Sequence, residues 1–84
     1  MAIADVNDIL FKLSGIAAEH FGVAGLQLRE STTAADVPGW DSIAHIQLML
    51  RVEEEFGIRF KTVEIGGVQN VGELARRVMD HLRQ

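Results

Sequence analysis

The fold is decided by residues 40–58, which read WDSIAHIQLMLRVEEEFGI. Apolar side chains recur in this stretch at three- and four-residue intervals, and Gly57 supplies a stop signal. The spacing therefore predicts a helix from about Ser42 to Phe56. At about 100° per residue, its apolar side chains fall on two nearly opposite faces. One face holds Leu48, Met49, Val52 and Phe56, and the other holds Ile43, Ile46 and Leu50.

The second apolar face of this helix has two interpretations. A helix that is apolar on both sides is usually buried at the centre of a protein. The polar side chains next to the second face instead favour a surface that another protein contacts. We expect the first face to lie in the core and the second face to stay accessible. The predicted partner-binding residues are Ile43, Ile46, Gln47, Leu50, Glu53 and Glu54.

Length and composition bound the function. The 84 residues are enough for one compact domain, predicted to span residues 1–84, and too few for a deep enzymatic cleft. No cysteine is present, which excludes disulfides and thiolate metal sites. A net charge of −4 without a basic patch argues against nucleic-acid binding. Because residues 1–5 lack a secretory signal and no apolar run approaches the ~20 residues of a bilayer span, we expect a cytoplasmic protein without membrane insertion. The initiating Met1 and the lack of flanking linkers favour a stand-alone protein.

The first half of the chain predicts one helix and one long loop. Residues 6–21 place their apolar side chains along a single stripe, with Asp5 as the predicted N-cap and Gly22 as the stop signal. Between residues 23 and 41 the periodicity is lost and turn formers accumulate. We expect this loop to be ordered, because a structureless loop of that length is uncommon in a compact domain. Its apolar anchors are Leu26, Leu28, Val37 and Trp40.

Two further helical segments follow the central helix. Residues 62–65 predict one short helical turn, limited by Gly66-Gly67. The last helix begins after Asn70, which forms a capping-box-like pair with Glu73. Its apolar stripe comprises Val71, Leu74, Ala75, Val78 and Leu82. The sequence thus predicts an all-α fold, a small four-helix bundle of three longer helices and one short helix, with a long loop between the first two.

Ser42 is the best candidate for covalent modification, because its hydroxyl lies where the turn at Pro38-Gly39 gives way to the central helix. The simpler alternative is an N-cap, worth about 1 kcal/mol. His45 suggests a hydrolytic pair with Ser42, but a third orienting group and an oxyanion pocket are not evident. We therefore predict no catalytic residue and expect His45 to pack on the core side of its helix. The three histidines are dispersed without metal-ligand spacing, so no metal site is predicted.

Two motifs of the chain resemble the acyl carrier proteins. The run from Asp41-Ser42-Ile43 to Glu53-Glu54-Glu55-Phe56 resembles the family's Asp-Ser-Leu, which opens an apolar helix that ends in Glu-Glu-Glu-Phe. Asn70-Val71-Gly72-Glu73-Leu74 resembles the family's Thr-Val-x-Glu/Asp-Leu start of the final helix. The two matches together cover nearly the whole chain. It is therefore similar to a specialised, stand-alone member of that family.

The resemblance implies a monomeric acyl carrier that is not itself an enzyme. A phosphopantetheinyl transferase would move 4'-phosphopantetheine from coenzyme A onto the Ser42 hydroxyl, and Asp41 would help the transferase engage the site through its magnesium ion. The arm would supply the thiol that a cysteine-free chain lacks, hold acyl groups as thioesters, and lie near His45. The implied partners are this transferase and the acyl-loading (adenylate-forming) and acyl-transfer enzymes of fatty-acid, polyketide or related specialised acyl metabolism.

Charges on and after the central helix depart from the strongly acidic pattern of fatty-acid carriers. Ala44, Gln47 and Arg51 dilute the acidity of the helix, and Arg59 and Lys61 add positive charge after it. Because charges at the rim of an interface steer encounter and select partners, we expect a dedicated carrier with few partners. Two alternatives stay open: a carrier of aminoacyl or D-alanyl groups, and an unmodified helical adaptor that docks through its apolar face.

Glu53 and Glu54 lie at the acidic end of the central helix. Reversing the charges of Glu53 and Glu54 is predicted to slow transfer from the cognate acyl-loading enzyme. The same change is predicted to leave the protein folded, since both residues are assigned to the accessible face.

Overall fold

The computed structural model describes residues 5–83, and within this range the chain is helical, without a β-strand. Four α-helices follow one another: α1 (Val6–Phe21), α2 (Ser42–Phe56), α3 (Thr62–Gly67) and α4 (Val71–Leu82). One turn of 3-10 helix at Ala34–Asp36 lies in the loop between α1 and α2. The predicted bundle of three longer helices and one short helix, with a long first loop, is confirmed. Expectations that rest on residues 1–4 lie outside the described residues.

α1 begins and ends at the capping residues predicted for it. The Asp5 carboxylate accepts a hydrogen bond from the Asp8 backbone N–H at 3.0 Å, which satisfies a donor that has no intrahelical acceptor. Gly22 has φ of 68°, a left-handed conformation that glycine adopts without a Cβ clash, and its N–H donates to the Ala18 carbonyl. The buried residues of α1 are Ile9, Leu13 and Ala17.

The core lies where α1 packs against α2 and α4. Leu48, Met49 and Val52 are almost completely buried, which confirms that the first apolar face of α2 points inward. Burying each side chain of this kind contributes roughly 1.5–3 kcal/mol relative to leaving it exposed. The other core residues outside α1 are Leu28, Val37, Phe60, Val71, Leu74, Ala75 and Val78. Two of the predicted loop anchors therefore belong to the core itself.

The loop between α1 and α2 is tied to both α1 and α4. The Ser14 hydroxyl accepts a hydrogen bond from the Leu28 backbone N–H at 2.8 Å, which joins the loop to α1. On the other side, the Gly72 N–H donates to the Glu30 carbonyl at 2.8 Å. A Cβ at Gly72 would lie 2.9 Å from that same carbonyl oxygen, so the close approach depends on glycine. These contacts confirm that the loop is ordered.

Two capping details differ from the sequence prediction. Asn70 caps α4 by accepting from the Glu73 N–H at 2.9 Å, but the Glu73 carboxylate accepts from the Gln69 N–H at 3.1 Å, so the capping box is not reciprocal. α3 continues through Gly66 and Gly67, which were expected to limit it, and neither glycine has a positive φ. Glycine in a helix interior costs roughly 1 kcal/mol relative to alanine. Contacts of α3 with α2 and α4, described below, offset that cost.

Candidate functional site

Asp41, and not Ser42, caps α2. The Asp41 carboxylate accepts a hydrogen bond from the Ala44 backbone N–H at 2.8 Å, and its backbone is extended. Ser42 is the first helical residue. The alternative in which Ser42 serves as the N-cap is therefore wrong, because the preceding carboxylate already satisfies the donor that a capping hydroxyl would take.

The turn before α2 brings these two residues to the surface. Gly39 has φ of 86°, in the left-handed region that favours glycine. Its carbonyl accepts from the Asp41 N–H at 3.0 Å, and the Val37 carbonyl accepts from the Trp40 N–H at 3.2 Å. The turn is thus closed by backbone hydrogen bonds, and Asp41 and Ser42 are both exposed.

The Ser42 hydroxyl is accessible, and its oxygen makes no hydrogen bond to any residue in the range 5–83. The leading N–H groups of a helix have no intrahelical acceptor, and with the helix dipole they attract an anion. Ser42 and Ile43 carry the first two of these groups in α2. A phosphate ester on the Ser42 oxygen therefore fits this position, both sterically and in charge.

A surface groove extends from Ser42 between α2 and α3. Trp40, His45 and Ile46 line it from α2 and the preceding turn, and Ile65, Gly66 and Val68 line it from α3 and the residue that follows. Because Ser42 also lines the groove, a flexible group attached to its hydroxyl can lie in the groove.

His45 is held between Trp40 and α3. The Trp40 indole Nε1–H donates to His45 Nδ1 at 3.0 Å, so Nδ1 carries no proton in this arrangement. The proton then lies on Nε2, which donates to the Ile65 carbonyl at 2.9 Å. Both ring nitrogens are thereby committed, and neither can act as a base toward Ser42. His45 is half-buried, as expected for a side chain on the core side of its helix.

The second apolar face of α2 is open to solvent. Ile43, Ile46 and Leu50 are 70%, 52% and 54% exposed, which is unusual for large aliphatic side chains in one cluster. Gln47 and Glu54 are exposed beside them. The interpretation of α2 as a helix buried on both sides is therefore wrong, because the bundle covers only one of its two apolar faces.

Glu53 has a different environment from the rest of the predicted surface. It is half-buried, and its carboxylate accepts a hydrogen bond from the Phe60 backbone N–H at 2.7 Å. This bond fixes the extended segment after α2 and helps to seat Phe60 in the core. We therefore expect charge reversal at Glu53 to destabilise the protein, because a lysine there would remove the acceptor of a part-buried N–H.

Glu64 anchors α3, a role that the sequence did not indicate. Its carboxylate accepts from the Lys61 N–H at 2.8 Å and from His81 Nε2 at 3.0 Å, and Arg77 Nη1 lies 3.9 Å away. The Lys61 N–H bond, followed by the His81 and Arg77 contributions, holds the pKa of Glu64 below its usual value of 4.5, against partial burial, which raises it. His81 lies 17 residues from Glu64, and local spacing gives no signal for such a pair.

Residues 5–83 offer neither a cluster of metal ligands nor a helix that spans a membrane. They contain no group of three or more His, Cys, Asp or Glu side chains placed to hold a metal ion. In the same residues, every helix is too short or too polar to cross a bilayer.

Comparison with known proteins gives concordant results. A family model described as "Phosphopantetheine attachment site" matches residues 12–78. The acyl carrier protein of Saccharopolyspora erythraea is 25% identical over 76 residues, which cover 90% of this chain and 80% of that protein. The acyl carrier protein of Cyanidium caldarium is 27% identical over 76 residues, covering 90% and 88%. The solution NMR structure of holo acyl carrier protein from Geobacter metallireducens superposes with a TM-score of 0.83 at 32% identity, covering 89% of this chain and 86% of that one.

Proposed function

The chain belongs to the phosphopantetheine-binding acyl carrier proteins, and from this membership we propose that Ser42 is the residue that bears its 4'-phosphopantetheine arm. The protein is a carrier and not a catalyst. The arm supplies the thiol that holds an acyl group, which a chain without cysteine cannot provide. The role of the chain's own residues is to position this arm and to present it to enzymes.

The observation that carries the proposal is the exposed Ser42 hydroxyl at the start of α2, beside free N–H groups and the groove. The two other serines are less suited. Ser14 donates to the Leu10 carbonyl and accepts from the Leu28 N–H, so its hydroxyl is committed to the fold. Ser31 is exposed, but it lies in the long loop and not at the start of a helix. Only Ser42 combines accessibility with the helix terminus that favours a phosphate.

Intact mass spectrometry tests this assignment. The protein is coexpressed with a phosphopantetheinyl transferase of broad specificity, and the expected mass increase is one phosphopantetheine group. Ser42→Ala is expected to abolish the increase, whereas Ser31→Ala, a matched change at the other exposed serine, is expected to retain it. An unshifted wild-type mass, or a shift that survives Ser42→Ala, would contradict the proposal.

The partners proposed for the carrier follow from its exposed surface. We propose that Asp41 contributes to recognition by the transferase, and that the outer face of α2 binds acyl-loading (adenylate-forming) and acyl-transfer enzymes. That face comprises Ile43, Ile46, Gln47, Leu50 and Glu54, with Glu53 supporting its end.

We further propose that residues 1–84 act as one monomeric domain in the cytoplasm, where coenzyme A is available as the donor of the arm. Size-exclusion chromatography with light scattering, and cell fractionation, test these two points.

A further inference from the structure

Beneath the groove lies a second and much smaller space, lined by Trp40, His45, Val71 and Leu74 among others. Its volume is about 50 Å³. An apolar cavity that takes a benzene-sized group has a volume of about 150 Å³. At about a third of that volume, the space beneath the groove has room for a few water molecules and, as it stands, is too small for an alkyl chain.

Four residues line both the groove and the small cavity: Ala34, Trp40, His45 and Val68. The aromatic rings of Trp40 and His45 are the largest of these side chains, and we place them between the two spaces. The hydrogen bonds from Trp40 to His45 and from His45 to the Ile65 carbonyl connect the turn before α2, α2 itself and α3. Phe21 stacks on Trp40 from α1, with 5.4 Å between the ring centroids. Trp40 and His45 thus form a wall below the groove. A hydrogen bond ties this wall to α3, and the Phe21 ring packs against it from α1.

Apart from the small cavity, the side chains behind this wall are buried core residues. Met49, Val71 and Leu74 are each at most 1% exposed. Separating α3 from α2 to make room would break the bond between His45 and the Ile65 carbonyl. Glu64 additionally ties α3 to His81 of α4. An acyl chain that entered the bundle would have to displace both packed side chains and these bonds.

We propose that Trp40 and His45 determine the cargo of this carrier, by keeping the acyl group in the surface groove and out of the bundle. The proposal rests on attachment of the arm to Ser42. A short acyl group finds apolar cover in the groove from Ile46, Ile65 and Val68. Additional methylene groups would find no enclosed space among residues 5–83, so the protein is suited to short acyl groups and not to a long alkyl chain held inside the bundle.

The test compares acetyl and octanoyl arms on the same protein. Unmodified protein is loaded from acetyl- or octanoyl-coenzyme A by a transferase that accepts acylated coenzyme A, and intact mass verifies loading. Methyl NMR signals of Ile46 and Ile65, which line the groove and not the small cavity, are expected to shift with either arm. Those of Met49 and Leu74 are expected to stay unchanged, and the Tm is expected to be the same for both arms. Octanoyl-dependent shifts at Met49 and Leu74, with a higher Tm, would overturn the proposal.

Two variants test the assignment to the wall. Trp40→Phe removes the indole N–H and retains a ring against Phe21, and His45→Ala removes the second member of the wall. In both, the octanoyl arm is expected to shift the Leu74 methyl signals. Thr62→Ala, which alters the groove but not the wall, is the matched control and is expected to behave as the wild type.

The outcomes are distinguishable. If Trp40→Phe and His45→Ala exclude the octanoyl chain as the wild type does, the assignment to these two residues is wrong. If His45→Ala does not fold, Trp40→Phe decides the question, because the ring stacking is retained. Absence of any acyl-phosphopantetheine mass on the wild type contradicts attachment at Ser42 and, with it, the cargo proposal. A loaded wild type whose octanoyl arm shifts the Leu74 signals contradicts the cargo proposal alone.

Discussion

Asp41 caps α2 and, in the proposed function, also contributes to recognition by the transferase. The two roles use different properties of one side chain. Capping α2 requires an acceptor oxygen for the Ala44 N–H, which asparagine supplies about as well as aspartate. Recognition through a metal ion requires negative charge, which asparagine lacks. Substitution at this position therefore separates local stability from recognition.

Asp41→Asn is expected to leave the free energy of unfolding nearly unchanged while slowing modification of Ser42 by the transferase. Asp41→Ala is expected to slow modification as well and to destabilise the protein by about 1 kcal/mol, because the cap is lost. Urea denaturation measures the first quantity, and mass spectrometry over a time course measures the second. Equal modification rates for the wild type and Asp41→Asn would show that the carboxylate acts only as a cap.

Among the helices, α3 depends most on its neighbours. It spans six residues, two of them glycine, and isolated helices of that length are unstable in water. His45 from α2 holds its Ile65 carbonyl, and His81 and Arg77 from α4 hold its Glu64 carboxylate. One side of the groove therefore owes its order to polar contacts with the other two helices.

Glu64→Gln is expected to destabilise the protein at pH 7 by about 1–2 kcal/mol, through weakened hydrogen bonds to Lys61 and His81. The folded-state pKa of Glu64 lies below its usual value of 4.5. The stabilisation is therefore present above the unfolded-state pKa and is lost as the pH falls through the folded-state pKa. The variant is therefore expected to lose less stability than the wild type as the pH falls below about 5. Urea denaturation across this range measures the difference.

Glu55→Gln is the matched control for this measurement, since Glu55 is an exposed carboxylate of α2. It is expected to reproduce the acid profile of the wild type. Parallel profiles for the wild type and Glu64→Gln would contradict the anchoring role of Glu64.

For the whole molecule, sequence predicted the elements better than the contacts between them. The Asp5 cap and the stops at Gly22 and Gly57 are local signals, and each is found where it was expected. The hydrogen bond between Ser14 and Leu28 joins residues 14 positions apart in different elements, so helical periodicity does not predict it. Local patterns report which face of a helix is apolar, but not which polar groups meet across the bundle.

In the candidate site, too, local sequence patterns predicted the residues of one helix but not the contacts between elements. Ser42 and the exposed face of α2 were proposed from one continuous stretch of sequence, and that stretch forms one helix. The wall beneath the groove was not foreseen, because Trp40 precedes α2 and lies off its helical period, while the Ile65 carbonyl belongs to another helix. The hydrogen bond between Glu53 and Phe60 was not predicted for a related reason. It depends on how the chain turns after Gly57, so sequence alone placed Glu53 on the partner surface.

Encounter with a partner enzyme is expected to depend on charge at the outer face of α2. Glu54 is exposed on the partner side of α2 and forms no ion pair within residues 5–83, whereas Glu55 is exposed beside a cleft that Lys12 and Arg51 line. We expect Glu54→Lys to slow acyl transfer from the cognate loading enzyme about two- to tenfold at low salt. The unfolding free energy should not change. Because rim charges act mainly on the association rate and are screened by salt, the effect should shrink as ionic strength rises.

Glu55→Lys makes the same change in net charge and is the matched control, with a smaller effect on transfer expected. Glu53→Lys is expected to reduce stability instead, because the Phe60 N–H loses its acceptor. Stopped-flow transfer assays over a salt series, with urea denaturation of each variant, separate the three cases. Equal slowing by Glu54→Lys and Glu55→Lys would show that the net charge of the molecule, and not the outer face of α2, governs the encounter.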